Sequence, residues 1–258
     1  MTTSEKVSRF RALKGSKGGI PVLTAVDYPT TRLLDECGLP LILIGDSLGM
    51  VTLGYANTTY VTMADMEHHV AAAARAKPKA LLVGDLPYKS YENASDSVAN
   101  ARKLIEAGAE AVKAEGGRSI LEQVKAIVAA GIPFLGHLGM LPQSILTEGA
   151  HRIKGRDDAS RMALLDDARA LEQAGAFAIV LELVTPPVAK EITRAVGIPT
   201  IGIGSGPDCD GQVIVTSDLV GMFPWFTPKF VKPHMQAAEQ MRGVISEWMK
   251  TLPRPASI

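Results

Sequence analysis

The chain has 258 residues, of which 47% are hydrophobic and 21% charged, a composition typical of a globular protein that buries a substantial core. Its 27 basic and 27 acidic residues balance, which argues against nucleic acid or an anionic membrane surface as a partner. No apolar run approaches the roughly 20 residues of a membrane helix, and residues 1–15 lack the apolar core of a signal peptide. Two cysteines, Cys37 and Cys209, are interpreted as small buried side chains in a reducing compartment. These features predict a soluble, cytoplasmic protein.

Strand-like and helix-like segments alternate along the chain after a short polar helix at residues 4–13. Seven apolar runs are predicted strands, at 21–27, 41–45, 80–85, 111–115, 133–137, 177–182 and 200–204. Helices are predicted between them, at 29–37, from 63 to about 76, at 93–107, 119–130 and 159–174, and opening at Pro186. The eighth strand is the least distinct, with 229–231 as the candidate; a last helix at 234–250 and a loose tail at 253–258 follow.

This alternation predicts a parallel sheet covered by helices. Seven units and a possible eighth favour a (β/α)8 TIM barrel over an open doubly wound sheet. No linker divides the sequence, so a single barrel domain over residues 1–258 is predicted. Two connections, 47–62 and 138–156, are longer than usual and follow strands two and five. They are interpreted as substrate lids or subunit contacts, with insertions of no function as the alternative.

Charged and polar side chains stand where the predicted strands end, and in a barrel these ends meet at one mouth. They are Asp46 with Ser47, Asp85, Lys113 with Glu115, His137, and Glu182. Burying unpaired carboxylates costs several kcal/mol per ion, and Lys113 supplies a single positive charge. A divalent cation held by carboxylate oxygens, Mg²⁺ or a similar hard ion, is the simplest compensation.

Each residue also has a structural interpretation. Asp46 and Asp85 could cap helices, although the helix predicted after Asp46 begins too far downstream to be capped by it. Asp27, directly before Tyr28 and Pro29, is assigned as a helix N-cap. Lys113 and Glu115 share a strand face and could form an internal ion pair. His137 could simply close its strand by hydrogen bonding.

Glu182 interrupts the apolar strand Ala178-Ile179-Val180-Leu181. Apolar surroundings should favour its neutral form and raise its proton affinity toward that of a useful base, with helix capping as the alternative. The glycine-rich segment 201–207 has the spacing G-x-G-x-G followed by proline, which is a weak phosphate signal. It is better interpreted as close backbone packing at the barrel mouth.

Assembled in order, these segments resemble the ketopantoate hydroxymethyltransferase family over nearly the whole chain. The stretches that carry the resemblance are Leu23-Thr24-Ala25, Asp27-Tyr28, Gly45-Asp46-Ser47-Leu48-Gly49-Met50, Asp85-Leu86-Pro87, Val112-Lys113-Ala114-Glu115-Gly116-Gly117, Gly136-His137-Leu138-Gly139, Leu141-Pro142-Gln143-Ser144, 201–206, Asp210-Gly211-Gln212 and Pro228-Lys229-Phe230-Val231-Lys232. The resemblance implies a barrel of the phosphoenolpyruvate/pyruvate superfamily type, bound Mg²⁺ and a large homo-oligomer.

The resemblance also implies a reaction and residue roles. The one-carbon unit of 5,10-methylenetetrahydrofolate, the co-substrate, would join 3-methyl-2-oxobutanoate to give 2-dehydropantoate, a step of pantothenate biosynthesis. Asp46, Asp85 and Glu115 would be the metal ligands, and Glu182 the proton acceptor. Ser47, Asp85 and Lys113 would hold the 2-oxo acid, and Asp46 and His137 are counted with them as substrate-binding.

Two other functions compete with this one. The first is an aldol-type lyase or transferase that acts on another 2-oxo acid with the same barrel, which an absent effect of folate would favour. The second is a catalytically silent subunit that binds a metal and an oxo acid, which an absence of enolisation would favour. The presence of all five charged residues, Asp46, Asp85, Lys113, Glu115 and Glu182, argues against a silent protein.

Overall fold

The computed structural model describes residues 1–150 and 152–252, so the predicted tail at 253–258 lies outside the described residues. The chain divides into two compact units, Met1–Val213 and Ile214–Ile258. The single domain over residues 1–258 stays a prediction. Within the described ranges, no helix has both the length and the apolarity to cross a membrane.

The first unit is built on a closed barrel of parallel strands that neighbour each other in sequence order, so the predicted TIM barrel is confirmed. Seven of the eight strands begin and end within a few residues of the prediction. The strands are β1 Ile20–Thr24, β2 Leu41–Ile44, β3 Leu81–Asp85, β4 Ala111–Glu115, β5 Phe134–Gly139, β6 Ala178–Glu182, β7 Thr200–Ile203 and β8 Gly211–Ile214.

Helices follow the strands as the periodicity predicts, and short polar side chains cap the starts of several of them. Asp27 accepts a 2.8 Å hydrogen bond from the Thr30 amide, so its assignment as an N-cap is confirmed. The α-helices of this unit are α1 Thr3–Arg11, α2 Tyr28–Glu36, α3 Leu48–Val51, α4 Met63–Ala74, α5 Ala94–Glu106, α6 Leu121–Ala129, α7 Ile145–Glu148, α8 Asp158–Gln173 and α9 Pro186–Ala195. Short 3₁₀ turns lie at Thr58–Tyr60, Arg118–Ile120 and Pro142–Ser144.

In residues 214–252, the described part of the second unit, the helices are α10 Thr216–Leu219 and α11 Ala237–Thr251. The chain between them returns to the end of α10, where the His234 amide donates to the Leu219 carbonyl at 2.8 Å and the Ala237 amide to the Val220 carbonyl at 2.9 Å. The predicted last helix is therefore present, three residues shorter at its start.

Three sequence-based assignments are wrong. Residues 229–231 are not the eighth strand, because Lys229 and Phe230 form a turn between two prolines and the strand is β8. A helix does follow Asp46 closely, since α3 starts two residues later. Cys37 is exposed rather than buried because it lies past the last residue of α2, and Cys209 is partly buried.

The barrel interior is filled by side chains that alternate along the strands. Leu41 and Leu43 of β2 point into this core, and Ile42 and Ile44 belong to the outer core between strands and helices. The other strands contribute to the interior in the same way, through Val22, Leu81, Val83, Ala111, Leu135, Ala178, Val180, Ile201 and Val213. The alternation continues to the strand ends and so determines which polar residues face the mouth.

Candidate active site

The sequence-predicted charged residues continue the interior layers of the barrel at the carboxyl ends of its strands. Two positions beyond the buried Val83 lies Asp85, and two and four positions beyond Ala111 lie Lys113 and Glu115. His137 follows Leu135, and Glu182 follows Val180, by the same step of two. Register places Asp85 beside Lys113 and Glu115 beside His137. The barrel therefore brings these side chains to one mouth.

Asp46 and Asp85 are adjacent and buried, at 4% and 2% exposure. The Asp46 amide donates a 3.1 Å hydrogen bond to Asp85 Oδ2. A Cβ atom at Gly45 would lie 3.4 Å from the same Oδ2 and 3.2 Å from Ser47 Oγ, so the glycine leaves room for this carboxylate. Ser47 precedes α3 without a side-chain capping bond. Ser47 Oγ and Asp85 Oδ2 therefore both border Gly45.

Lys113 forms its ion pair with Asp85, at 2.5 Å between Nζ and Oδ1. Burial acts to lower the pKa of Lys113, but the surrounding carboxylates, Asp85 first, outweigh it and raise the pKa. Lys113 is therefore a fixed positive charge. The ion-pair interpretation of this lysine was right in kind, but its partner is Asp85 from the neighbouring strand.

His137 lies between two carboxylates. Its Nδ1 is 3.6 Å from Glu115 Oε1, and its Nε2 is 3.2 Å from Glu182 Oε2. Both ring nitrogens and Glu115 Oε1 are buried without a hydrogen-bond partner in the described part of the chain. The Glu182 side chain is 14% exposed, so it borders the mouth without facing bulk water. Buried polar atoms without partners mark a place where a polar ligand is expected.

Burial and the mutual repulsion of the acids raise the pKa values of two carboxyl groups at this mouth, and burial lowers that of the histidine. Desolvation, and then the charge of Asp85, raise the pKa of Asp46 to about 7. Desolvation, and then Asp46, also raise the pKa of Glu115 well above its usual range. Desolvation, together with the positive Lys113, lowers the pKa of His137 well below its usual range, so the imidazole is neutral.

Two residues that sequence reasoning did not select complete this cluster. Gln143 bonds to Asp46 and Glu115, and Tyr91 bonds to Gln143. Desolvation raises the pKa of Tyr91, so its hydroxyl keeps its proton. The only sequence signal was that Gln143 lies within one of the family-like stretches. Both residues come from loops, at the same end of the barrel as the charged side chains.

The side chains at the mouth have the chemistry that a hard divalent cation requires of its ligands. Four carboxylates, of Asp46, Asp85, Glu115 and Glu182, accompany one lysine, and Glu115 Oε1 is buried without a partner among the described residues. Oxygen ligands of this kind suit Mg²⁺. Within residues 1–150 and 152–252, however, no three His, Cys, Asp or Glu side chains are arranged as a ready-made metal cage.

Comparison with known proteins gives the same fold and a family. With 15% identity and a TM-score of 0.66, the chain is similar to 2,3-dimethylmalate lyase, a member of the PEP mutase/isocitrate lyase superfamily, over 100% of this chain and 91% of that one. This likeness shows the fold.

The sequence matches are much higher. The chain is 52% identical over 247 residues to the 3-methyl-2-oxobutanoate hydroxymethyltransferase of Ignicoccus hospitalis, covering 95% of this chain and 94% of that protein. It is 52% identical over 242 residues to the protein of the same name from Moorella thermoacetica, covering 93% and 90%. The family model described as ketopantoate hydroxymethyltransferase matches residues 4–254. The chain therefore belongs to the ketopantoate hydroxymethyltransferase family.

Proposed function

We propose that this chain transfers a hydroxymethyl group from 5,10-methylenetetrahydrofolate to 3-methyl-2-oxobutanoate, giving 2-dehydropantoate. The observation that carries the proposal is the cluster of charged side chains at the barrel mouth of a member of this family. A layer of buried acids around one lysine is suited to an anionic oxo acid only when a cation offsets its charge. The reaction class is one-carbon transfer by aldol-type addition.

Asp46, Asp85 and Glu115 are the proposed Mg²⁺ ligands. Proteins often hold this ion through one or two carboxylates, with substrate and water oxygens completing the shell, so a cage of three preset side chains is not required. Bound there, Mg²⁺ supplies Lewis-acid polarisation of the substrate ketone, which makes the neighbouring C–H group more acidic.

The remaining residues bind the substrate and move its proton. Lys113, held by Asp85, offers a fixed positive charge to the substrate carboxylate. Ser47 and the neutral His137 offer polar groups at the mouth. Glu182, at the end of β6, takes the proton from the carbon next to the ketone, and that carbon then forms the bond to the methylene carbon of the folate. Both C–N bonds of the methylene carbon break, water supplies the hydroxyl group of the product, and tetrahydrofolate leaves.

Assembly and location belong to the same proposal. A row of exposed apolar side chains on α11 suits contacts between copies of the chain, as a large homo-oligomer requires. A biosynthetic enzyme of small metabolites with two free cysteines suits the cytoplasm. Its partners are then the two small-molecule substrates, without nucleic acid or membrane.

The first test is turnover of the purified protein. It is incubated with 3-methyl-2-oxobutanoate, 5,10-methylenetetrahydrofolate and Mg²⁺, and 2-dehydropantoate is measured by mass spectrometry. We expect product that disappears with a chelator and returns with added Mg²⁺. Omitting the folate is the control that separates hydroxymethyl transfer from aldol chemistry on other oxo acids. Absence of product under all conditions would refute the proposed activity.

The second test isolates Glu182. We expect Glu182→Gln to slow deuterium uptake at C3 of 3-methyl-2-oxobutanoate by about 100-fold or more, because a general base contributes that much to proton transfer. Binding of Mg²⁺ and of the oxo acid should remain, as calorimetry can check. Asp46→Ala and Asp85→Ala should instead weaken Mg²⁺ binding. Exchange at the wild-type rate in Glu182→Gln would remove this residue from the mechanism.

A further inference from the structure

Gln143 reaches from the connection after β5 into the barrel mouth and contacts residues on or just after three other strands, β2, β3 and β4. Its side-chain Nε2 donates to Asp46 Oδ2 at 2.8 Å and to the Leu86 carbonyl at 3.0 Å. Its backbone amide donates to Glu115 Oε2 at 3.0 Å. One buried residue thus bonds to two of the proposed metal ligands, which lie after β2 and on β4.

The orientation of the Gln143 amide is determined by its neighbours. The Leu86 carbonyl oxygen can only accept, so the atom facing it must be the nitrogen. Both hydrogens of this nitrogen are then used, on Leu86 and Asp46. The amide oxygen faces Tyr91, whose hydroxyl donates to it at 2.6 Å. Tyr91 lies on the loop between β3 and α5, and it therefore holds the amide from the opposite side.

We propose that Gln143 is a positioning residue that fixes the carboxylates of Asp46 and Glu115 relative to each other, and that Tyr91 acts through Gln143. The inference rests on the proposed function only in taking these two acids as site carboxylates. Two like-charged groups close together repel and turn apart unless donors hold them. Gln143 engages one oxygen of each, and Glu115 Oε1 remains without a partner among the described residues.

Several variants test the two parts of this proposal. Gln143→Ala removes the side-chain amide and keeps the backbone amide that bonds to Glu115. Gln143→Glu keeps the length of the side chain but replaces its donor with a charge that repels Asp46. Tyr91→Phe removes a single hydroxyl. Gln173→Ala is the control, because Gln173 is an exposed glutamine at the last residue of α8. Each protein is characterised by its thermal midpoint, its dissociation constant for Mg²⁺ alone, and its KM and kcat.

We expect Gln143→Ala to weaken Mg²⁺ binding about tenfold or more, the usual effect of removing a group that orients metal ligands. Gln143→Glu should be worse than Gln143→Ala, whereas a residue that only fills space would tolerate the isosteric change. Tyr91→Phe should weaken Mg²⁺ binding severalfold at an unchanged thermal midpoint. The double variant Tyr91→Phe/Gln143→Ala should lose little more than Gln143→Ala alone, because the Tyr91 hydroxyl then keeps only its long contacts with the Glu115 backbone, at 3.3 Å to the carbonyl and 3.4 Å from the amide. The control should behave as the wild type.

Wild-type Mg²⁺ affinity, KM and kcat in Tyr91→Phe and Gln143→Ala would overturn the inference, and Tyr91→Phe alone decides if Gln143→Ala does not fold. A double variant whose loss equals the product of the single losses would overturn the role of Tyr91 through Gln143. The variant Asp46→Ala distinguishes a wrong metal assignment from a wrong positioning role for Gln143. If it abolishes Mg²⁺ binding and the Gln143 variants do not change it, the proposed metal site stands and the positioning role falls. If Asp46→Ala binds Mg²⁺ normally, the metal assignment itself is wrong.

Discussion

The hydroxyl group of Ser205 holds the backbone on both sides of Glu182. Ser205 is fully buried; it donates to the Leu181 carbonyl at 2.7 Å and accepts from the Val184 amide at 3.0 Å. Between them, Leu183 has a φ of +46°, in the left-handed region that leucine rarely adopts. Ser205 therefore stabilises an unfavourable backbone conformation next to the proposed base.

We expect Ser205→Ala to lower kcat more than it changes KM. The substitution leaves the buried Val184 amide without its acceptor, which costs about 1–3 kcal/mol, and it releases the backbone that orients Glu182. Steady-state kinetics and the rate of deuterium uptake at C3 of the oxo acid measure the effect. Ser97→Ala is the matched control, since Ser97 is also fully buried and its hydroxyl donates to the Asn93 carbonyl in α5.

A drop in thermal midpoint shared by both serine variants, with kcat lost in Ser205→Ala alone, would agree with the positioning role. Equal kcat in Ser205→Ala and the wild type would contradict it. Ser205 lies in the glycine-rich segment 201–207. A Cβ at its neighbour Gly206 would lie 2.7 Å from Pro186 Cβ. Close packing, as the sequence indicates, therefore accounts for that glycine.

At the scale of single residues, the sequence predicts the placement of those side chains whose positions follow from strand periodicity. Asp85, Lys113, Glu115, His137 and Glu182 were placed together because alternation along a parallel barrel strand is rigid and the strands end at one mouth. Gln143 and Tyr91 were not selected, because they come from loops. Gln143 meets Asp46 across 97 positions of sequence, and only the folded path of the loop brings them together.

At the scale of elements, α1 packs against the amino-terminal ends of the barrel strands. Phe10 is almost fully buried and contacts Phe177 edge to face, with 5.8 Å between ring centroids. Lys6 Nζ bonds to the Pro78 and Ala80 carbonyls and to Glu110, just before β3 and β4. The helix thus contributes to the interior core at the end opposite to the charged side chains.

Phe10→Ala is therefore expected to lower the free energy of unfolding by about 3–5 kcal/mol, the usual cost of emptying a buried phenylalanine site. Because the charged layer lies at the other end of the strands, kcat should stay within twofold of the wild type below the thermal transition. Denaturant unfolding and kinetics measure the two quantities.

Leu33→Ala serves as the control, because Leu33 is exposed and its truncation should cost little. A large loss of kcat in folded Phe10→Ala would show that the two ends of the barrel are coupled.

Elements were predictable in proportion to their length and apolar content. The long amphipathic α8 and the unbroken β2 and β6 gave strong patterns. In contrast, β8 has four residues, begins with glycine and exposes Gln212, so its pattern resembles a loop. The equally short α3 contains Gly49 and lacks a side-chain cap. Tertiary packing, rather than local propensity, forms both of these elements.

At the scale of the whole molecule, one helix of the second unit carries a row of exposed apolar side chains. Five side chains of α11 and that of the residue after it are exposed and spaced by three and four positions, which places them on one face: Met241, Val244, Ile245, Trp248, Met249 and Leu252. Val244 is 71% exposed and Trp248 59%. Monomeric proteins rarely expose an apolar surface of this extent, which is why we infer assembly of identical chains.

We expect the wild type to sediment as a homo-oligomer in analytical ultracentrifugation, and Val244→Glu or Trp248→Glu to sediment as smaller species. A charge buried in an apolar interface without a partner costs several kcal/mol, enough to dissociate a contact repeated in every copy. Gly243→Glu adds the same charge to the opposite face of the same helix, where a Cβ would meet no atom within 4 Å, and it should leave the wild-type assembly intact. A monomeric wild type would refute the assembly. An unchanged oligomer in both apolar-face variants would mean that copies of the chain associate through another surface.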